Sequence, residues 1–293
     1  LEQRDDVFEG KIPPVVKKAS SFVGKKVVLS VIEYPSLDDQ KSIVWLGESD
    51  ATFESVGAKA RNLSLLSKQC AVPVGFCITR KIFITMAKSL KLDLTSINFG
   101  ASSNVHEIDA ASKEIMRKIM SYEFPLDFEN DLFNQFKRIK PPFAVRSSSY
   151  SEDQNETSFA GQLDSYLGIS DFGALKDAVK KCWASFYNTR AIIYRIENEL
   201  SETDIGMAVI VQQMIEPFYS GVIFTRSPKN NAAINIEAVE GVCEALVSGA
   251  ITPNSYLLDR KDISLIEIGA NNKFLMGADI IKTISIEGLK IEE

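Results

Sequence analysis

Hydrophobic positions along this chain follow two periods. Segments with apolar residues three or four apart predict helices, one opening after Gly57, several within a mainly helical stretch at 80–140, and a long amphipathic helix in two parts at 172–198. Interleaving of these segments with short apolar runs predicts a mixed α/β fold. Three of the runs predict strands. "VPVGFCIT" (72–79) predicts a loop that leads into a buried strand, "FAVRSSS" (143–149) a short strand that runs into a loop, and "AVIVQQMI" (208–215) a strand.

The last third of the chain has a different pattern, with shorter strand signals and few helical ones. "SGVIFTRSP" (220–228) predicts a hairpin-like segment and "AINIEAVEG" (233–241) a strand. A polar loop is expected at 243–260, and edge strands are expected from 261 onwards. Near the other terminus, "KKVVLSVIEY" (25–34) is strand-like, but residues 1–47 show no recognisable chemistry.

Charge and composition argue against nucleic acid and membranes as general binding partners. The net charge of −6, from 39 acidic and 33 basic residues, gives no general field for nucleic acid or an anionic membrane, so a phosphate site must be a local pocket. The longest apolar runs are strand-sized and fall short of the roughly 20 residues that a bilayer span needs. The four cysteines include no C-x-x-C pair, which favours reduced thiols in a cytoplasmic protein.

The N-terminal sequence "LEQRDDVFEG" has no basic region followed by an apolar core, so it does not predict a secretory signal peptide. It begins with Leu, which is compatible with a piece of a longer polypeptide but does not decide the matter.

Groups suited to phosphate or metal are concentrated in "FAVRSSSYSED". Arg146 carries a planar fork of donors that matches two phosphate oxygens, and the end of a strand is stiff enough to aim it. An ion pair with Glu152 or Asp153 would explain the same arginine. Ser147 and Ser148 could donate further hydrogen bonds to a phosphate, or could simply serve a turn.

Lys59 follows Gly57 at a predicted helix start, where backbone N–H groups and the helix dipole favour an anion. A lysine in this position is also a common solvated surface residue. The full G-x-x-x-x-G-K-[ST] pattern is absent from the segment, so it does not predict a P-loop.

The segment "SFAGQLDSY" predicts a loop that could close over a phosphate. It offers the backbone of Gly161 and Gln162 and the hydroxyl of Ser165. A plain hairpin would explain the same residues.

Glu244 and Asn254 lie in the predicted polar loop. Carboxylate and carboxamide oxygens, together with substrate phosphates, suit Mg²⁺, although single Glu and Asn residues are also ordinary on a surface. The pair is therefore compatible with a magnesium-nucleotide site.

In their joint order, seven blocks over residues 48–260 resemble the nucleotide-binding domain of phosphoenolpyruvate synthase, pyruvate phosphate dikinase and rifampicin phosphotransferase, an ATP-grasp fold. "RSSSYSED" followed by "SFAGQ" is more similar to the synthase and rifampicin-phosphotransferase branch than to the dikinase branch. The blocks are "VGAKARNLSLL", "VPVGFCIT", "FAVRSSSYSED", "SFAGQLDSYL", "CWASFYNTRAIIYR", "VQQMIEPFYSGVIFT" and "IEAVEGVCEALVSGAITPNSYLLD".

This resemblance implies a mixed α/β, two-lobed ATP-grasp fold with an ATP cleft between an N-terminal lobe at 48–204 and a C-terminal lobe at 205–293, after an extension at 1–47 of unknown role. Lys59 and Arg146 are implied as the catalytic residues that grip the phosphates. Glu244 matches the family's metal-associated glutamate, with Asn254 beside it for Mg²⁺. The other implied nucleotide-binding residues are Ser147, Gly161, Gln162, Ser165, Gln212, Gln213, Met214 and Glu237.

The resemblance further implies transfer of phosphate from ATP to a histidine on a separate carrier domain, which passes it to an acceptor. This chain lacks the Cys- and Gly-rich segment that holds the family's carrier histidine, and its single histidine, His106, has polar neighbours that favour an exposed position. Two family glycines are replaced, one by Ala58 and one by Cys243. A positive φ at Cys243, or close contact with nucleotide there, would cost affinity or activity.

Three hypotheses follow from the sequence. The first is a phosphoryl-donating ATP-binding domain that works with a phosphohistidine carrier domain. The second is a non-catalytic ATP-binding module whose occupancy regulates a partner. The third is a purely structural interaction domain, which predicts no nucleotide binding.

Overall fold

The computed structural model describes residues 40–92, 105–149, 164–197, 206–228, 230–269 and 281. The strand-like segment 25–34 and the predicted site residues Gly161 and Gln162 lie outside these ranges. In chain order the elements are β1 (Ile43–Trp45), α1 (Phe53–Leu66), β2 (Gly75–Ile78), α2 (Arg80–Ser89), α3 (Val105–Met120), α4 (Leu126–Phe136), β3 (Phe143–Ser149), β4 (Ser165–Ile169), α5 (Phe172–Ser185), α6 (Thr189–Glu197), β5 (Met207–Gln213), β6 (Tyr219–Phe224), β7 (Ala233–Glu240), α7 (Glu244–Val247), β8 (Asn254–Asp259) and β9 (Leu265–Gly269).

The chain divides into two compact units. Residues up to Ser64, together with Val74–Gln212, form the first, and Leu65–Pro73, together with the chain from Gln213 onwards, form the second. The first therefore includes most of β5, which pairs with β2. The lobe limits of 48–204 and 205–293 stay a prediction.

The first unit is built on a five-stranded sheet in the order β1-β2-β5-β3-β4. One face carries the main core, to which β3 contributes Phe143 and Val145. Trp183 of α5, fully buried, packs edge-to-face on Phe83 of α2 and on Phe124. Aromatic side chains of this size bury enough apolar surface to dominate the stability of a core.

The opposite face of the same sheet is covered by α1. Val56 and Ala60 of α1 pack against Cys77 of β2 and against Ala208 and Ile210 of β5. Small residues on the helix allow its backbone to approach the strands closely, which matters for the site described below.

The second unit is built on a four-stranded sheet in the order β6-β7-β8-β9, with antiparallel pairing throughout. Ile234 and Ile236 of β7 and Tyr256 and Leu258 of β8 form its core together with Ile281. The register pairs Ile236 with Tyr256, so the two side chains share one face of the sheet.

Most of the expected elements are present, and the mixed α/β class is confirmed. The polar loop predicted at 243–260 is wrong in part, because 244–247 is helical and 254–259 is a strand. Burial in that strand alternates, with Asn254, Tyr256 and Leu258 inside. The short period-two signal was hidden by the polar residues around it.

All four cysteines are free thiols, as expected. None of the helices in the described ranges combines the length and the apolar character that crossing a bilayer would require.

Candidate functional site

Helix α1 is interrupted at Gly57. This residue has φ 74° and ψ 176°, so the helical backbone breaks there and starts again at Ala58. A combination of positive φ with ψ near 180° is adopted essentially by glycine alone. The predicted helix start after Gly57 is therefore correct, although one further helical turn precedes it.

The restarted helix is held against strand β3. The backbone N–H of Ala60 donates a buried hydrogen bond to Ser148 Oγ at 3.1 Å. A Cβ on Gly57 would lie 2.6 Å from the Ser148 carbonyl oxygen and 2.8 Å from its Oγ. Glycine is thus required at this point both by the backbone conformation and by the close approach of β3.

Arg146 lies on the same face of β3 as Ser148, since side chains two residues apart in a strand project to the same side. Ser165 of β4 is paired directly with Arg146 in the antiparallel register. Opposed residues of an antiparallel pair also share a face. The turn that carries Lys59, the Arg146 side chain and the Ser165 hydroxyl are therefore gathered on one side of the sheet.

Lys59 is half-buried, and its ammonium acts electrostatically on the buried Cys182 thiol of α5. Burial raises the pKa of the Cys182 thiol, the Asp164 carboxylate raises it further, and the Lys59 ammonium opposes the rise. The Cys182 Sγ lies 3.9 Å from the carbonyl oxygens of both Val145 and Asp164. The Lys59 ammonium therefore acts on a thiol that lies beside the backbone carbonyls of residues 145 and 164.

Asp164 and Tyr166 flank Ser165. The Tyr166 hydroxyl donates a hydrogen bond to the Asp164 carboxylate at 3.2 Å, and burial, together with that carboxylate, raises the pKa of Tyr166. The Asp164 backbone N–H donates to Ser185 Oγ of α5 at 3.4 Å. These contacts anchor the start of β4 and so fix where Ser165 stands.

Ser147 is placed differently from its neighbours. It is fully buried on the face of β3 that carries Phe143 and Val145, and its Oγ has no hydrogen-bond partner among the described residues. The structure therefore does not bring Ser147 together with Arg146. A phosphate on the Arg146 face would be separated from the Ser147 hydroxyl by the strand.

Gln212 belongs to the α1 side of the sheet, since it continues the alternation of Ala208 and Ile210. It is buried and pairs with Gly75 of β2. Gln213 ends β5, and Met214 follows it outside any helix or strand. These two half-buried residues begin the second unit.

The other predicted site residues lie in the second unit. Glu244, exposed, opens α7 just after β7, and Asn254, 3% exposed, opens β8 opposite Ala238. Both are thus at the end of the sheet where β7 stops and β8 begins. Glu237 projects from the other face, because it pairs with Ser255.

No group of three or more His, Cys, Asp or Glu side chains that could hold a metal occurs among the described residues. Mg²⁺ is commonly held by one or two carboxylates together with substrate phosphates, so the protein need not supply a full ligand set. The oxygens of Glu244 and Asn254 fit that donor chemistry.

The two replaced glycines lie where no glycine conformation is needed. Cys243 has φ −70° and precedes α7 in ordinary right-handed backbone. Ala58 is absent from the positive-φ residues of the described chain, and positive φ occurs instead at the neighbouring Gly57 and Gly241. The expected cost at Cys243 through backbone strain is therefore removed.

The role of Ser148 as a partner of α1 was missed from the sequence, which suggested only phosphate donation or a turn. A signal was present, because the helix start at Gly57 has none of the side chains that normally cap a helix. An acceptor for its first N–H groups therefore has to be a distant part of the chain, water or a bound anion.

Comparison with known proteins gives the following matches. The family model described as pyruvate phosphate dikinase, AMP/ATP-binding domain, matches residues 53–278. A probable phosphoenolpyruvate synthase of Archaeoglobus fulgidus is 33% identical over 259 residues, covering 84% of this chain and 34% of that protein. A rifampicin phosphotransferase of Bacillus cereus is 34% identical over 217 residues, covering 71% of this chain and 25% of that protein. A probable phosphoenolpyruvate synthase of Methanothermobacter thermautotrophicus is 33% identical over 243 residues, covering 79% of this chain and 35% of that protein. The chain thus spans between a quarter and about a third of the length of these relatives.

Proposed function

This chain belongs to the family of pyruvate phosphate dikinase AMP/ATP-binding domains, and from that membership we propose that it is the phosphoryl-donating part of a larger phosphotransferase. In this proposal ATP binds to the chain in an ATP-grasp-type fold. A phosphoryl group then passes to a histidine on a carrier domain, on the same polypeptide or on a partner.

The observation that carries the proposal is the arrangement around β3. A capped helix turn brings Lys59 beside the strand face that holds Arg146, and Ser165 lies directly opposite Arg146. A guanidinium fork and an ammonium on adjacent rigid elements suit the closely spaced charges of a polyphosphate. Phosphoryl transfer depends mainly on such positioning and charge neutralisation.

The remaining ligands are proposed from the family resemblance. The backbone of Gln212, Gln213 and Met214 would contact the adenine edge, and the loop with Gly161 and Gln162 would close over the phosphates. Glu237 would complete the nucleotide contacts. Ser147 would need to act through its backbone, since its side chain faces the core.

Glu244 and Asn254 would hold Mg²⁺ with the nucleotide phosphates, and the ion would supply neutralisation of phosphate charge. In the transfer, a nitrogen of the carrier imidazole forms a bond to phosphorus while a phosphorus–oxygen bond of the nucleotide breaks. The charged side chains of Lys59 and Arg146 would stabilise the phosphate oxygens as negative charge shifts to the leaving group.

The alternative of a non-catalytic, regulatory ATP-binding module drew support from the replaced glycines. Since Ala58 and Cys243 need no glycine conformation, that support is weaker in the structure than in the sequence. We therefore propose the catalytic function first.

Two pairs of variants test nucleotide binding by calorimetric titration with Mg-ATP. Lys59→Ala is matched by Lys113→Ala, an exposed lysine on α3, and Arg146→Ala by Arg117→Ala, an exposed arginine on the same helix. Loss of a hydrogen bond to a charged group is worth about 1.5–3 kcal/mol, so we expect ATP affinity to fall roughly tenfold to a hundredfold in the first member of each pair. The matched variants should bind like wild type.

Transfer is tested by adding a carrier domain of this family with radiolabelled ATP. Acid-labile labelling of the carrier histidine supports the catalytic function. Tight ATP binding without labelling would contradict it and support the regulatory module.

A further inference from the structure

We propose that Ser148 is a positioning residue, which caps the restarted part of α1 from a distant strand and thereby sets where Lys59 stands relative to Arg146. The predicted effect of Ser148 on ATP binding rests on the proposed function. The helix cap itself rests only on contacts within the chain.

The helix that carries Lys59 lacks a cap of its own. Normally the residue before the first helical turn offers a side-chain oxygen to the N–H group two or three positions later. Gly57 occupies that position and has no side chain. The third residue of the restarted helix is Ala60, and its N–H donates to Ser148 Oγ instead.

The acceptor comes from 88 residues further along the chain. Ser148 and Ala60 are both fully buried, so water cannot replace the bond if it is lost. An unsatisfied buried N–H is costly, which favours the docked turn over any arrangement that separates it from β3. The restarted helix is therefore fully hydrogen-bonded at Ala60 only when it is docked on β3.

The cap holds the turn that carries Lys59, which the proposed function uses to bind phosphate. Ser148 projects from the same face of β3 as Arg146, two residues away, and Lys59 precedes Ala60 directly. Docking Ala60 on Ser148 thus fixes the backbone of Lys59 relative to the backbone of Arg146, from which the two charged side chains extend. Ser148 itself is buried, and we assign it no direct contact with nucleotide.

The experiment uses the 293-residue chain with Ser148→Ala, Ser148→Thr and Ser112→Ala. Ser112 is a matched control, since its buried hydroxyl donates to the Tyr187 carbonyl at 2.6 Å within the main core of the same unit, away from α1. Threonine at 148 keeps the acceptor oxygen and so should restore the cap. Amide hydrogen exchange is measured without nucleotide, and ATP affinity is measured by calorimetry.

For Ser148→Ala we expect protection of the Ala60 amide to fall at least about tenfold, and the dissociation constant for ATP to rise about threefold to thirtyfold. Ser148→Thr should return both quantities to within about threefold of wild type. Ser112→Ala should lower the unfolding temperature without changing either quantity.

Unchanged protection of the Ala60 amide in Ser148→Ala would overturn the cap. Lost protection with wild-type ATP affinity would overturn the positioning role and leave a purely structural bond. A wild-type chain that binds no nucleotide would refute the proposed function and with it the positioning role, whereas the exchange result would still decide whether Ser148 caps the helix.

Discussion

Replacing Gly57 with alanine should destabilise the chain through three separate effects. The residue would remain at φ 74° and ψ 176°, a region essentially reserved for glycine, which costs about 1–3 kcal/mol. Its Cβ would lie 2.6 Å from the Ser148 carbonyl oxygen and 2.9 Å from the carbonyl carbon, so backbone would have to move, at about 1–3 kcal/mol. Movement of β3 away from the turn would also weaken the Ala60 hydrogen bond, worth about 1 kcal/mol.

Together these effects predict a fall of about 3–7 kcal/mol in the free energy of unfolding, measured by urea denaturation followed by circular dichroism. Gly168→Ala is the matched control. Gly168 has φ +72°, but nothing lies within 4 Å of its Cβ position, so only the backbone cost of about 1 kcal/mol applies. Equal destabilisation by the two substitutions would refute the argument that contact with Ser148 makes Gly57 necessary.

Three other measurements follow from the structure. Because burial raises the pKa of Cys77 and Cys182 above the ordinary value of 9.0, the folded chain keeps both protons when the unfolded chain loses them. The stability that the two protonated thiols contribute should therefore be fully present below pH 9, and the free energy of unfolding should decline above it by about 1 kcal/mol per pH unit for each thiol. A urea midpoint that stays constant from pH 8.5 to 10.5 would contradict this. Arg146→Lys keeps the charge but loses the planar fork, so ATP affinity measured by calorimetry should fall about tenfold, and wild-type affinity would exclude bidentate phosphate contact. Glu244→Gln should raise the Mg²⁺ concentration needed for half-maximal ATP binding while Glu216→Gln, an exposed control, should not, and equal behaviour would remove Glu244 from the metal site.

Sequence patterns anticipated the elements of this fold better than the contacts between them. Apolar periodicity located β3, β5 and the divided helix of α5 and α6, because each buries a continuous face. The strand β8 was missed, since its alternation is short and begins with the polar Asn254. Short strands gain their stability from pairing partners, which periodicity in one segment does not reveal.

In the candidate site, too, the sequence indicated the residues better than it indicated their contacts. Residue type and local setting made Lys59 and Arg146 candidates, and the family resemblance selected them. The register between β3 and β4 brings Ser165 opposite Arg146. Ser147 and Ser148 are adjacent serines with identical local chemistry, yet one faces the core and the other caps α1. Only the strand alternation and the packing of a distant helix distinguish them.

The ratio of AMP to ATP dissociation constants tests the central claim most directly, namely that the β3 face with Arg146 grips the outer phosphates of ATP. Calorimetric titrations of wild type and Arg146→Ala with each nucleotide give this ratio. The account predicts that wild type prefers ATP and that the substitution lowers the preference about tenfold or more, with AMP affinity nearly unchanged. An equal preference in both proteins, or an equal loss of affinity for AMP and ATP, would contradict it.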